Sequence, residues 1–347
     1  MIAPAVEIRA LLPADEASVE AWIRAAPGAS FFHRVGWRRA VERVFGHELV
    51  DLVAWREGRV VGMLPLSRSP GLRGASLISS PYAVYGGPIG DSRDIEVQLA
   101  AEAKRIAETT RVRRLELRCF EDPGLDLVPS ELYATFIQDL PDDPAKVLAS
   151  IPKKARAEAR KARERHQLTL SDGRWYAPDL YRLFLNNKRK LGSPGLPRAW
   201  FEELLARFGD ECVVHMVHKD TQPLMAVMSF VWRDTLLAYY AGTADGADRE
   251  YSASNFMYMA LREWAVERGL ARFDFGRSRK DAGAFSFKEH QGFVPRDLHY
   301  RYHLVRDREL PSFTPSNPKT KVLRDAWSKM PVWVNARLSN VLARYLP

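Results

Sequence analysis

The sequence predicts an α+β protein built twice over: two mixed domains, each a sheet flanked by helices, followed by a basic C-terminal tail. At 347 residues the chain exceeds what one hydrophobic core usually spans. Its 46% hydrophobic and 27% charged residues are the balance of a folded rather than a disordered chain. An ungapped internal repeat aligns "WRRAVERVFGHELVDLVAWREGR", from Trp37, with "WFEELLARFGDECVVHMVHKDTQ", from Trp200, at an offset of 163 residues, the mark of one unit used twice. At that offset Phe45 falls on Phe208, Gly46 on Gly209, Glu48 on Glu211, and the charged turn Arg56-Glu57 on Lys219-Asp220. The expected boundaries are 1–140 for the first domain, 141–310 for the second and 311–347 for the tail.

Each copy has the same order of elements. A helix stops at Gly46 or Gly209, as a C-terminal glycine cap requires. A hairpin follows, "ELVDLVAW" with "VVGMLPLS" in the first copy and "CVVHMVH" with "LMAVMSFVW" in the second. Next come an aromatic and glycine-rich segment ("YAVYGGPIG", "LLAYYAGTADG"), a long helix ("EVQLAAEAKRIAETT", "NFMYMALREWAVERG") and a closing strand ("RLELRCF", "RFDFGRS"), which sets Glu116 opposite Asp274. Between the copies, "PKKARAEARKARERH" reads as a helix with Lys153, Arg156, Arg160 and Arg163 on one stripe beside Ala155, Ala159 and Ala162. That stripe is either a solvated face pinned by its alanines or a clamp for phosphates. The tail, proline-punctuated after Pro311, ends in "SKMPVWVNARLSNVLARYLP". Trp327, Met330, Trp333, Val334, Leu338, Val341 and Leu342 recur there at helical spacing against Lys329, Arg337 and Arg344, an amphipathic helix that docks on the preceding domain or lies in a membrane interface.

The formal charge of +9, from 52 basic and 43 acidic residues, points to a polyanionic partner: nucleic acid, a phosphorylated substrate or an anionic membrane surface. Cys119 and Cys212 lack CxxC spacing and sit in apolar runs, so we expect reduced core residues and no metal site. The N-terminal "MIAPAVEIRALLPADE" has acidic residues where a signal peptide is basic, and no apolar run nears the ~20 residues of a membrane span. A cytoplasmic protein, peripheral at most on the inner face of the membrane, is expected.

The paired units, the "KKARAEARKA" helix opening the second, and "FDFGRS" followed by "AFSFKEHQGF" and "PRDLHYRY" resemble the FemAB family of peptidyltransferases. Within it they are most similar to FemAB-like proteins associated with exosortase (PEP-CTERM) and exopolysaccharide loci. The resemblance covers nearly the whole chain. It implies two tandem GNAT (acyl-CoA N-acyltransferase-like) domains and amide formation, with an amine on a glycan- or lipid-linked precursor attacking an activated acyl carbon. It implies aminoacyl-tRNA as donor and no bound cofactor. Acyl-CoA, the donor of ordinary GNAT enzymes, needs a glycine-rich turn before a helix so that backbone amides reach the pyrophosphate. "RSPGLRG" and "GTADGADREYSAS" are not clean copies of that turn, and no segment is long enough for the helical hairpin that many tRNA-using relatives carry. Two alternatives stand beside this reading: acyl-CoA-dependent acetylation of an amino sugar, and a non-catalytic scaffold of a polysaccharide-export system.

By the same resemblance Lys288, of the pair Phe287-Lys288, belongs in the second-domain cavity near the reacting ester. A cation in a dehydrated pocket stabilises charge that develops on oxygen; the alternative is a structural bridge from Lys288 to Asp274 or Glu289. We expect Phe285 and Phe293 to wall the pocket, and Asp274 to take part in catalysis. Arg277, Arg279 and Lys280 meet phosphates in this picture, as do Arg156 and Arg160. Tyr239 and Tyr240 border the cleft, with Asn255 and Tyr258 on the helix that faces it. No general base is evident, His290 being a lone histidine beside a loop. The first domain, with "EDPGLDLVPSELYAT" where the second has its cations, is expected to be a binding or structural copy.

Overall fold

The computed structural model describes residues 5–71, 73–311 and 318–347. The chain forms two units, one of Met1–Leu132, Leu298–Phe313 and Leu342–Pro347, the other of Tyr133–Asp297 and Thr314–Val341. In chain order the first unit contains β1 (Glu7–Ala10), α1 (Glu16–Ala25), α2 (Val35–Phe45), β2 (Glu48–Leu49), β3 (Leu52–Arg56), β4 (Arg59–Leu64), β5 (Leu66–Ser69), β6 (Ser76–Ser79), β7 (Ile89–Gly90), α3 (Arg93–Thr109), β8 (Arg114–Cys119) and β9 (Val128–Ser130). The second unit takes β10 (Tyr133–Asp139), α4 (Pro144–Ser150), α5 (Lys153–Glu164), β11 (Thr169–Asp172), α6 (Ala177–Lys190), α7 (Arg198–Phe208), β12 (Cys212–Lys219), β13 (Gln222–Trp232) and β14 (Thr235–Thr243). It continues with α8 (Ala247–Tyr251), α9 (Ala253–Glu267), β15 (Arg272–Asp274), β16 (Ser278–Arg279), α10 (Gly283–His290) and β17 (Pro295–Asp297). β18 (His299–Leu304) returns to the first unit, and α11 (Pro318–Lys329) and α12 (Val332–Leu342) end the chain.

The repeat is visible in detail. Trp37 and Trp200 are both fully buried. The hairpin turns place Glu57 and Asp220 at φ 49 and 52, and the bulge between Ala54 and Trp55 recurs between Val217 and His218, each pair at the same 163-residue offset. The hairpins then part company. In the second unit β12 and β13 run unbroken in one sheet ordered β11-β12-β13-β14-β15-β10-β16, with β17 on β10. In the first unit Asp51 and Pro65 break the arms, so that β3 and β4 join a sheet β1-β3-β4-β7 while β2 and β5 join a sheet β2-β5-β6-β8-β18-β9. Proline has no N–H to donate to a ladder.

The linear boundaries at 140 and 310 shift accordingly. β10 lies in the second unit's sheet, paired with β15, β16 and β17, and β18 lies between β8 and β9 in the first. Each strand buries an apolar face there: Ala134 and Phe136 from β10, Tyr300 and Tyr302 from β18.

The tail is likewise not a separate piece. Its proline-punctuated residues 312–317 lie outside the described residues, but α11 and α12 belong to the second unit, where Arg189 Nη1 donates to Ser328 O (3.1 Å) and Met330 O (3.3 Å). Gly195 N donates to Ser339 Oγ (3.0 Å). The single expected helix is two, because Pro331 ends the first at the preceding residues. Within the first unit, burial pushes His47 down to about 4, so the ring is neutral; its Nε2 donates to Arg344 O (2.9 Å), and Tyr82 Oη donates to Ala343 O (3.0 Å).

The second unit's core packs α5 and α9 on one sheet face through Ala155, Ala159, Ala162, Phe256, Met257 and Leu261, as the alanine stripe of α5 predicts. On another side α6 crosses β14 at Gly242, where an added Cβ would lie 2.3 Å from Phe184 N and 2.5 Å from Leu183 C. These are backbone atoms and cannot step aside. Gly242→Ala is therefore expected to cost about 1–3 kcal/mol in a denaturation experiment, by lifting α6 from the sheet.

Candidate active site in the second unit

The site begins where two parallel strands separate. β14 pairs with β15 only over Thr235–Leu237 against Arg272–Asp274, yet β14 continues to Thr243. At this point β14 also bulges: Met228 faces Tyr240 and Ser229 faces Ala238, leaving Tyr239 as the extra residue. A bulge re-aims its side chain, and an added Cβ on Gly276 would sit 4.0 Å from Tyr239 Cδ2, so the Tyr239 ring faces the segment that follows β15. Tyr240 is directed elsewhere. It accepts a hydrogen bond from Trp200 Nε1 (2.8 Å) and packs on Phe184 and Phe201.

Beyond β15 the chain turns sharply. Asp274 Oδ1 accepts from Gly276 N (2.7 Å), and Gly276 adopts φ 64, a left-handed conformation that a side chain disfavours. The turn presents two carbonyls to α10. Lys288, the buried residue of that helix, donates from Nζ to Gly276 O (2.8 Å) and Arg277 O (3.1 Å). Its ammonium lies 5.1 Å from the Phe136 ring centre and 5.2 Å from that of Phe275. The nearest rings are thus these two: Phe285 packs on Phe136, while Phe293 lies on Phe273 and Phe275. Among the described residues Lys288 forms no ion pair with either Asp274 or Glu289. Burial pushes it down to about 7; the attraction of Asp274 opposes the shift and the repulsion of Arg277 adds to it.

Arg277 stacks its guanidinium 4.6 Å from the Tyr133 ring centre. Its charge also depresses Lys188 on α6, which burial depresses more. Lys188 Nζ lies 5.4 Å from the Phe184 ring centre and has no hydrogen-bond partner among the described residues. Lys188, Arg277 and Lys288 thus form a group of cations close enough to repel through Arg277. Lys188 was not expected; "NNKRK" reads as the ordinary basic end of a helix, and only its spacing from Phe184, one turn earlier, hinted at partial burial.

The other expected residues fall around this group. Phe287 packs against Tyr258 and Phe275. Asn255 Oδ1 accepts from Gln291 Nε2 (2.7 Å), and Gln291 Oε1 from Arg262 (3.0 Å), so Asn255 anchors the end of α10. Arg279 is held by both oxygens of Asp281, and Lys280 by Asp297 (2.9 Å). Arg156 donates to Ala149 O (3.2 Å) and Arg160 faces Glu164 at 4.0 Å; neither bonds to the cation group. His290 is exposed.

The N-terminus of α9 is occupied by the protein's own carboxylates. Asp248 accepts from Ser254 N (2.7 Å) and Ser254 Oγ (3.0 Å), and Ser252 Oγ donates to Glu158.

The first unit offers a contrast at the matching place. β6 and β8, also parallel, pair only over Leu77–Ile78 and Leu115–Glu116. Two residues after Glu116, where the second unit has Gly276 after Asp274, stands buried Arg118. Its guanidinium donates to Glu116 (2.9 Å), Ala83 O (3.0 Å) and Pro347 O (3.2 Å). The position is filled by protein groups.

The model of an acetyltransferase (GNAT) domain family matches residues 149–289. No curated protein sequence matches the chain. Among solved structures, FemX is similar at a TM-score of 0.65 and 12% identity, over 86% of this chain and 98% of that one. A tandem GNAT protein from the clavulanic acid biosynthesis pathway is similar at 0.55 and 16%, over 88% and 100%. The C-terminal domain of a putative lysylphosphatidylglycerol synthetase from Agrobacterium fabrum is similar at 0.52 and 14%, over 83% and 92%.

Proposed function

We propose, for a chain that is a tandem GNAT-fold acyltransferase of FemAB-like build, that the second unit transfers an aminoacyl group from tRNA to an amine of a glycan- or lipid-linked envelope or exopolysaccharide precursor. The amine nitrogen bonds to the ester carbon, the C–O bond to the ribose breaks, the amine gives up a proton and the ribose oxygen takes one.

The observation that carries this reading is Lys288 Nζ at the strand opening. Two of its hydrogens are spent on Gly276 O and Arg277 O, which leaves the third donor of an ammonium for the oxygen that becomes negative as the amine attacks. Asp274 holds the turn that supplies those carbonyls. Arg277 and Lys188 provide charge for phosphates, and Tyr239 and Phe287 wall the opening. Arg279, Lys280, Arg156 and Arg160 serve as outer contacts at most, since each already has a partner.

Aminoacyl-tRNA is favoured over acyl-CoA because Asp248 already takes the Ser254 amide at the start of α9, where a pyrophosphate would need free amides. The name of one structural neighbour agrees with amino-acid transfer, since lysylphosphatidylglycerol joins an amino acid to a lipid. The donor places the reaction in the cytoplasm. Filter binding with charged total tRNA, beside thermal melting with CoA, tests the proposal. Retention of charged tRNA with no effect of CoA is expected, whereas a melting point raised by CoA, without tRNA retention, overturns it in favour of acetyl transfer.

A further inference from the structure

α12 is turned inside out for a helix in water. Its inward residues are Asn335 and Ser339, both fully buried, and the Asn335 side chain has no hydrogen-bond partner among the described residues. Its outward residues include Trp333, 64% exposed, Val341, 60% exposed, and Leu338. Trp333, Arg337 and Val341 follow one another at four-residue steps, so they form a single row, and Arg337 lies 5.6 Å from the Trp333 ring centre. α11 behaves alike, burying Trp327 but leaving Val322 and Leu323 more than 70% exposed. A water-facing helix puts its apolar stripe inward and its polar residues out. The sequence reading grouped Trp333, Val341 and Leu338 with Trp327 on one apolar face; the structure separates them because the break at Pro331 lets the two helices present different sides.

We infer that the outward face of α12 is a docking surface for an anionic lipid bilayer. Charge selects this occupant over a second copy of the chain. From Asp325 to the last residue there is no further acidic side chain, while Lys329, Arg337 and Arg344 follow, and the chain as a whole carries +9, so two copies repel where a bilayer of anionic headgroups attracts. Tryptophan beside arginine suits the headgroup boundary, with the ring among the acyl-chain ends and the guanidinium at the phosphates. Among the described residues no helix is long and apolar enough to cross a membrane, so the contact is one of lying on the surface. It does not depend on the acyl-transfer reading, because vesicle binding needs no turnover.

Co-sedimentation of the full chain with phosphatidylcholine vesicles, with and without phosphatidylglycerol, tests it. The protein is expected to sediment with the anionic vesicles, less as salt is raised, and to lose about tenfold or more in affinity in Trp333→Ser/Val341→Ser and in Arg337→Glu. These side chains are exposed, so circular dichroism and melting of the variants should match the parent. Failure of the parent to bind anionic vesicles overturns the inference, as does equal binding by both variants. A parent dimer in sedimentation velocity that the Trp333→Ser/Val341→Ser variant abolishes, with vesicle binding unchanged, assigns the face to a second copy instead and overturns it too.

Discussion

Lys288→Met is expected to lower kcat/KM about a hundredfold or more, the usual cost of losing one preorganised donor to a developing oxyanion, with the fold retained. The parent should also show a limb the variant lacks. Lys288 is pushed down to about 7, so its catalytic cation is present below that pH and lost above it, and kcat/KM should fall as pH rises through about 7. The kcat limb should lie higher, since a bound anion favours the charged amine. Folding stability carries the opposite sign. An unfolded lysine keeps its proton to about 10.4, whereas the folded chain releases it near 7, so the unfolded state holds more protons in between and stability rises with pH across that window. Denaturation at several pH values should show this slope in the parent and a flatter one in Lys288→Met. A rising kcat/KM limb through neutrality that is absent from the Met variant would make the amine a base. A Met variant with full activity would return Lys288 to a purely structural role.

Why one unit carries this group and the other does not follows from two positions. After Asp274 the chain needs a residue at φ 64 whose carbonyl faces the lysine, and Gly276 supplies it. After Glu116 the matching residue is Arg118, whose fork satisfies its own strand and the backbone around Ala83. The expectation that the first unit is a binding or structural copy rested on its lack of cations after "RLELRCF". The cation at the matching place, Arg118, lies within that strand and is turned inward and consumed.

What was legible in the sequence is what depends on neighbours along the chain. Tryptophans at fixed phase, the helix ends at Gly46 and Gly209, the charged hairpin turns and the alanine stripe of α5 each encode their own local structure, and each survives at the 163-residue offset or at helical spacing. The exchange of β10 and β18 was not legible, because strand pairing is chosen by distant partners and both strands simply read as apolar segments near an expected boundary. Lys188 was hidden for a related reason. A lysine near the end of a helix is ordinary until a remote arginine is brought close and a phenylalanine one turn away shields it. For α12 the periodicity marks an apolar face and leaves open whether that face docks on the protein or meets a membrane, since hydrophobic spacing identifies a face but not the medium it meets.

In the first unit Asp51→Asn should cost about 3–5 kcal/mol, the range for removing one partner of a buried ion pair. Arg38 is 1% exposed and donates from Nε to Asp51 Oδ2 at 2.8 Å, while Asp51 Oδ1 accepts from Leu66 N at 2.9 Å. The carboxylate therefore joins the residue that precedes β3 to the one that opens β5, the corner at which the hairpin arms change sheets. Arg38 also donates to His33 O, a neutral acceptor that does not replace the charge of Asp51. A cleft of about 220 Å³ lined by Glu16, Arg39 and Glu42 reaches the pair. Arg38→Met/Asp51→Leu, which removes both charges together, should lose much less than the single change. Urea denaturation of the three proteins separates the outcomes. Equal losses for single and double variants would mean that the backbone corner, and not the ion pair, holds the two sheets together. The second unit needs no such clasp, because β12 and β13 pass the same point unbroken.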